Sequence, residues 1–152
     1  MRATIGFALV LLLGGCVTSP APEVVHHPAA PLNGQAMPFS EAVRVGDLLF
    51  VAGQVSNLPG TRTIVPGGIA TEARQALDNM KAVLERHGSS LDHVVKVTVF
   101  LGDIKEWPAF NEVYVQYFKG NLPARSALGA TGLALGARVE VECIAVVPGS
   151  AK

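Results

Sequence analysis

Three segments of the chain carry side chains able to act on a small molecule. In Leu122-Pro123-Ala124-Arg125-Ser126 an arginine follows a proline-containing loop at the start of a strand-like stretch. A guanidinium placed there presents a planar fork to a carboxylate, a contact worth ~1.5–3 kcal/mol. Downstream, Arg138 to Val147 alternates like a strand. Val139, Val141, Cys143, Ala145 and Val147 share one face, and Glu140, Glu142, Ile144 and Val146 share the other. Two carboxylates beside two apolar residues are unusual on a plain solvated face, and Glu140 is a candidate proton carrier. Asn111, in Phe-Asn-Glu-Val-Tyr, adds an amide. Two readings of Arg125 stand open: it grips a substrate carboxylate, or it ties chains together through a salt bridge to a glutamate. The chain has no glycine-rich phosphate loop and no serine nucleophile elbow. Its four histidines and two cysteines have no zinc-site spacing, so no metal site is expected. Cys143 lies among valines and reads as a small core hydrophobe.

The elements that must hold these residues follow from periodicity. Phe39 to Val45 and Leu48 to Ala52 read as strands joined by a Gly46-Asp47 turn, with a further short strand around Ile64 and Val65. Ile69, Ala73, Ala76, Leu77, Met80, Val83 and Leu84 recur at helical spacing, and Gly88 suits the left-handed cap beyond the helix end. His87 then sits at the negative end of the helix dipole. Val94 to Leu101 is a strand with Val95, Val97, Val99 and Leu101 on one face. Asp103 to Lys119 reads as a second helix with Pro108 in its first turn. Its stripe of Trp107, Phe110, Val113, Tyr114 and Tyr117 reads as core packing. Arg125 to Ala130 and Arg138 to Val147 are the last strands. This order implies an α+β fold, a mixed sheet with both helices on one face. Residues such as Val97 and Val141 argue against a solvated opposite face, and a second copy of the chain is its expected cover.

Upstream, Arg2 precedes an apolar run at residues 5–15 that ends in Leu13-Gly14-Gly15-Cys16. The run is too short to span a bilayer and fits a signal peptide. Its end resembles a bacterial lipobox, with Cys16 as the lipidated residue. Lipidation there implies a membrane anchor, a periplasm-facing location and, with Val17 next, outer-membrane sorting. Residues 16–38, rich in proline and holding His26 and His27, read as a tether with a solvated histidine pair. The folded domain is expected at 39–148, with a tail at 149–152. Twelve basic residues balance twelve acidic ones among 152, which argues against a nucleic-acid binder. With 49% hydrophobic and 16% charged residues, the chain is not disordered over most of its length.

Several segments occur in an order that resembles one family. They are Ser40-Glu41-Ala42-Val43, Ala52-Gly53-Gln54, Asn79, Phe110-Asn111-Glu112-Val113-Tyr114, Pro123-Ala124-Arg125-Ser126 and Val139-Glu140-Val141-Glu142 through Ile144-Ala145. From Pro38 to Val147 the chain resembles the RidA/YjgF family of enamine/imine deaminases. The resemblance implies a chorismate-mutase-like α+β fold and a homotrimer with a central β-barrel. It implies intersubunit pockets that hydrolyse 2-imino or 2-enamino acids, small carboxylate-bearing substrates, to 2-oxo acids and ammonia without cofactor. Carried over by motif, Arg125 grips the substrate carboxylate and Glu140 holds or activates the attacking water. Gly53 offers backbone contacts and Asn111 shapes the pocket. Where the family often has Tyr, Gln, Ser and Cys, this chain has Phe39, Glu41, Ala52 and Ala127. Phe39 and Ala52 make the substrate pocket more apolar. That leaves room for two other readings: a trimer that binds a small carboxylate without turnover, or a chaperone-like envelope protein.

Overall fold

The structure is a computed structural model, and it describes residues 21–31 and 34–149. The apolar run at 5–15 and Cys16 lie outside the described residues. Among those described, no helix is long and apolar enough to cross a membrane.

Six strands form one mixed sheet: β1 (Val24–Pro28), β2 (Ser40–Val45), β3 (Leu48–Val55), β4 (Val94–Leu101), β5 (Ala124–Gly129) and β6 (Val139–Val146). Their spatial order is β1-β2-β3-β6-β4-β5. The two helices, α1 (Ile69–Arg86) and α2 (Trp107–Tyr117), cover one face, as the alternation of strand and helix in the chain implies. β2 turns into β3 through Gly46 and Asp47, with Val45 paired to Leu48. Gly46 takes φ 57°, the positive value a two-residue hairpin asks of its first loop residue. Among the described residues the only parallel pair is β4 with β5, and α2 is the crossover that such a pair requires.

The core lies between helices and sheet. Ala73, Ala76, Leu77, Met80 and Leu84 of α1 are fully buried against Leu49, Val97, Val99, Val141 and Ala145. Each large side chain so buried contributes ~1.5–3 kcal/mol. α1 stops at Gly88, whose φ of 79° is the left-handed conformation expected of that position. One carboxyl group is taken into this interior. Glu72, 5% exposed, accepts hydrogen bonds from Ser56 Oγ at 2.7 Å and from the Arg138 amide at 2.8 Å.

Several expectations are corrected. The proline-rich stretch is not wholly a tether, because Val24–Pro28 pairs antiparallel with β2 and extends the folded unit upstream of residue 39. Accordingly His27 is not solvated tail: its ring stacks on His87, centroids 4.1 Å apart. Val95 leaves the face shared by Val97 and Val99, because a register shift between Val94 and Lys96 rotates the strand, and Val95 is 45% exposed. Val97 and Val141 face the helices rather than the open side. The open face instead carries Leu48, Phe50 and Leu128, each at least 40% exposed. Ile64 makes a single bridge to Asn57 rather than a strand. α2 begins at Trp107, after a 3₁₀ turn at Ile104–Glu106 whose Asp103 carboxylate accepts from the Lys105 amide at 2.9 Å. Pro108 sits in its first turn as expected.

Candidate active site

Glu140 stands on the open face of β6, flanked by the buried Val139 and Val141. Beside it β3 bulges. Val51 pairs with Cys143 and Gln54 with Val141, so β3 spends one more residue than β6 over the same span. The bulge turns Gly53 toward Glu140. A Cβ on Gly53 would overlap the Glu140 carboxylate, standing 2.8 Å from its Cδ and 3.1 Å from its Cγ. Glycine is therefore needed here for space, since a side chain would occupy the position of the carboxylate. The carboxylate lines a cavity of about 640 Å³, a size usual for small-molecule sites. Phe39, Ala52 and Met37 supply apolar wall, and Ala134 and Leu135 close another side. Leu135 holds a left-handed φ of 59°, a costly conformation for leucine.

Burial pushes the Glu140 carboxyl above its usual range, and the neighbouring Glu142 charge adds to the effect. The Arg125 charge does not oppose this shift within one chain, because Arg125 is on the other side of the sheet. It pairs with Val97 across β4–β5, and Val97 faces the helices with no exposure. Phe100, on the alternate face of β4, pairs with Glu140.

Arg125 rests on aromatic side chains of α2. Its guanidinium carbon lies 4.4 Å from the Tyr114 ring centroid and 6.0 Å from that of Trp107. Both distances suit cation–π attraction, which orders the fork without using its N–H donors. Trp107 Nε1 donates to Asn111 Oδ1 at 3.3 Å, so Asn111 belongs to the Arg125 cluster. The Tyr114 hydroxyl is buried without a hydrogen-bond partner among the described residues. Burial raises its pKa, with Cys143 adding and Arg125 opposing. No carboxylate among the described residues pairs with Arg125, so the salt-bridge reading has no partner within the chain.

The residues singled out from sequence thus fall into two half-sites on opposite faces of one sheet. Glu140, Gly53, Ala52 and Phe39 line the cavity. Arg125 and Asn111 sit with Trp107 and Tyr114 on the helix side of β5, which is an edge strand. The sequence reading missed the aromatic cradle by assigning Trp107 and Tyr114 to the core. Tyr114 serves both purposes, whereas Trp107 is 39% exposed. Their spacing with Asn111 along one helix face was the available signal. Asn79 is another of the motif residues. Its amide donates to the carbonyls of Val55 and Asn57, both at 2.9 Å, and so fixes the cavity rim to α1. Cys143 is a core residue as expected, its thiol pushed by burial to about 12.

Comparison with known proteins bears directly on this geometry. Residues 29–147 match the family model described as Endoribonuclease L-PSP. A rat protein named 2-iminobutanoate/2-iminopropanoate deaminase is 45% identical over 108 residues, 71% of this chain and 79% of its own length. The chain belongs to the RidA/YjgF family. A crystal structure of RidA from a Psychrobacter superposes with a TM-score of 0.70 at 34% identity, covering 80% of this chain and 94% of that one. E. coli TdcF with bound serine superposes at 0.69 and 31%, covering 84% and 98%. The RidA-type mixed sheet with two helices is the fold expected from the motifs. Among the described residues, no group of three or more His, Cys, Asp or Glu side chains is arranged to hold a metal ion.

Proposed function

We propose that this chain hydrolyses 2-imino and 2-enamino acids to 2-oxo acids and ammonia, in clefts between copies of itself. The observation that carries the reading is the Glu140 carboxylate seated over Gly53, half-buried and making no ion pair with a described residue. The family relationship supplies the reaction class, since a 45% identical relative is named for it. TdcF holds serine, a small carboxylate-bearing amine of related shape.

Glu140 accepts a proton from water as its oxygen attacks C2 of the iminium. The product is a carbinolamine. Glu140 returns that proton to the nitrogen, the C–N bond breaks, and ammonia leaves as the remaining O–H proton is released to form the 2-oxo acid. A carboxylate whose pKa burial has raised is a stronger base for the first transfer and still an acid for the second, and such help is worth ~10²–10⁴-fold. An enamine enters the same route after protonation at carbon. Arg125 grips the substrate carboxylate with the donors its aromatic cradle leaves free.

Both residues act on one molecule only if two chains meet. We infer a homotrimer in which β5 of one copy brings Arg125 and Asn111 to the Glu140 cavity of the next. The apolar Leu48, Phe50 and Leu128 on the open face favour such burial. The anchor is part of the same proposal: lipidation at Cys16 holds the trimer at the envelope, facing the periplasm.

The test mixes purified protein with imines made in situ by an amino-acid oxidase and follows their loss. No acceleration over buffer at any substrate chain length refutes the reading. Co-assembly of Arg125→Ala with Glu140→Ala chains then tests the shared site. Mixed trimers regain one intact cleft, whereas a site within one chain regains none. Radiolabelled palmitate incorporation, lost in Cys16→Ala, tests the anchor.

A further inference from the structure

The Glu140 cavity carries a cation that the deamination chemistry does not use. Among the described residues, three charged side chains line it: Glu41, Arg62 and Glu140. Glu41 is already engaged, accepting from Arg86 at 2.6 Å and hydrogen-bonded to His87 at 2.9 Å. Arg62 makes no hydrogen bond or ion pair with a described residue.

The loop that presents Arg62 is tightly built. The Leu58 amide donates to the Thr63 carbonyl at 2.9 Å, and the Thr61 amide to the Leu58 carbonyl at 3.0 Å. Thr61 Oγ1 accepts from the Thr63 amide at 3.1 Å and donates to Leu58, so both neighbours of Arg62 are tied by one hydroxyl. Asn57 Nδ2 donates to the Thr61 carbonyl at 2.9 Å, and Asn79 anchors Asn57 in turn to α1. A surface arginine on a floppy turn loses much of its gain to ordering, whereas a pre-organised backbone removes that part of the cost. Met37, Phe39 and Leu135 give the same cavity apolar wall, beside the uncharged polar Gln54, Asn57 and Thr61.

Resting on the imine-hydrolysis reading of this cavity, we propose that Arg62 is a specificity residue for substrates whose side chain ends in a second carboxylate, the 2-imino dicarboxylic acids. The reacting C2 lies at Glu140, the first carboxylate on Arg125 of the adjoining copy, and the distal carboxylate on Arg62. An apolar wall holds the methylenes between them. A lone cation in such a wall discriminates by charge: an uncharged side chain leaves Arg62 solvated but gains nothing from it.

Two measurements separate this inference from the reading beneath it. The first compares kcat/KM for the imines generated from glutamate and from 2-aminobutanoate, in the wild-type chain and in Arg62→Gln. The substitution lowers the dicarboxylate-to-monocarboxylate ratio about tenfold. An unchanged ratio overturns the proposal. The second needs no turnover and uses the stable products 2-oxoglutarate and 2-oxobutanoate as probes of thermal stabilisation. 2-Oxoglutarate stabilises the wild-type protein more, and Arg62→Gln removes the difference. Equal stabilisation by both probes overturns the proposal. Failure to hydrolyse any imine refutes the deaminase reading alone, because the binding comparison still decides the role of Arg62.

Discussion

Replacing Gly53 by alanine separates catalysis from folding, because the three atoms nearest the added methyl all belong to one flexible side chain, Glu140. Its Cβ would overlap the Glu140 carboxylate and lie 2.8 Å from Cδ, yet no backbone atom stands that close. Glu140 must therefore swing away, at ~0.5–1.5 kcal/mol if it leaves a rotamer well. Gly53 does not occupy the left-handed region, so alanine there also stiffens the unfolded chain and returns ~0.4–1 kcal/mol. The two effects nearly cancel, and the melting temperature should move by only a few degrees. Activity should not survive as well. A displaced carboxylate forfeits general acid–base help worth ~10²–10⁴-fold, or at least about 2.7 kcal/mol of barrier. The assay is imine loss under single-substrate conditions, beside a thermal melt of the same preparation. Gly53→Ala should match Glu140→Ala in kcat, and the double variant should be no worse than either, as expected of two residues acting through one group. Full activity in Gly53→Ala refutes the placement of Glu140 in the chemistry. A loss of several kcal/mol in stability refutes the claim that the contact is confined to one flexible side chain.

Three further outcomes follow. Arg125→Lys should lower kcat/KM about as much as Arg125→Ala, because an ammonium neither forks to a carboxylate nor stacks on Tyr114 and Trp107 as a planar guanidinium does; recovery of most activity with lysine would sink the bidentate role. Glu140 has its folded pKa raised, so its ionisation disfavours the fold as pH rises through that pKa; Glu140→Gln should be more stable than wild type at pH 7 and lose that advantage below about pH 4, read from paired denaturant melts. His27 has its folded pKa lowered, by burial first and by the His87 charge next, so the stability it lends is present above the ordinary histidine pKa of 6.5 and is lost as pH falls through the folded value; hydrogen exchange of the β1 amides should rise over that acidic interval, and an equal rise in His27→Phe would refute the cause.

Local pattern alone determined a good part of this molecule. The periodic apolar residues of α1, Gly88 at its end, Pro108 at the start of α2 and the two faces of β6 are set by near neighbours, whose chemistry a window of residues contains. The ordered motifs also carried the family and the candidates Arg125, Glu140, Gly53, Asn111, Phe39 and Ala52. What they did not carry was which of these residues meet. Arg125 and Glu140 part company because β5 pairs parallel with β4 while β6 pairs antiparallel on the other side of β4, and the face of a side chain depends on those registers. The bulge that brings Gly53 under Glu140 is a mismatch of one residue between two strands far apart in the chain. β1 looked like tail because three of its five residues are histidine or proline. It is a strand only because the edge of β2 was open to it and His87 stood ready to stack on His27. Composition and spacing are properties of a segment; pairing is a property of two, and only the folded chain chooses the second.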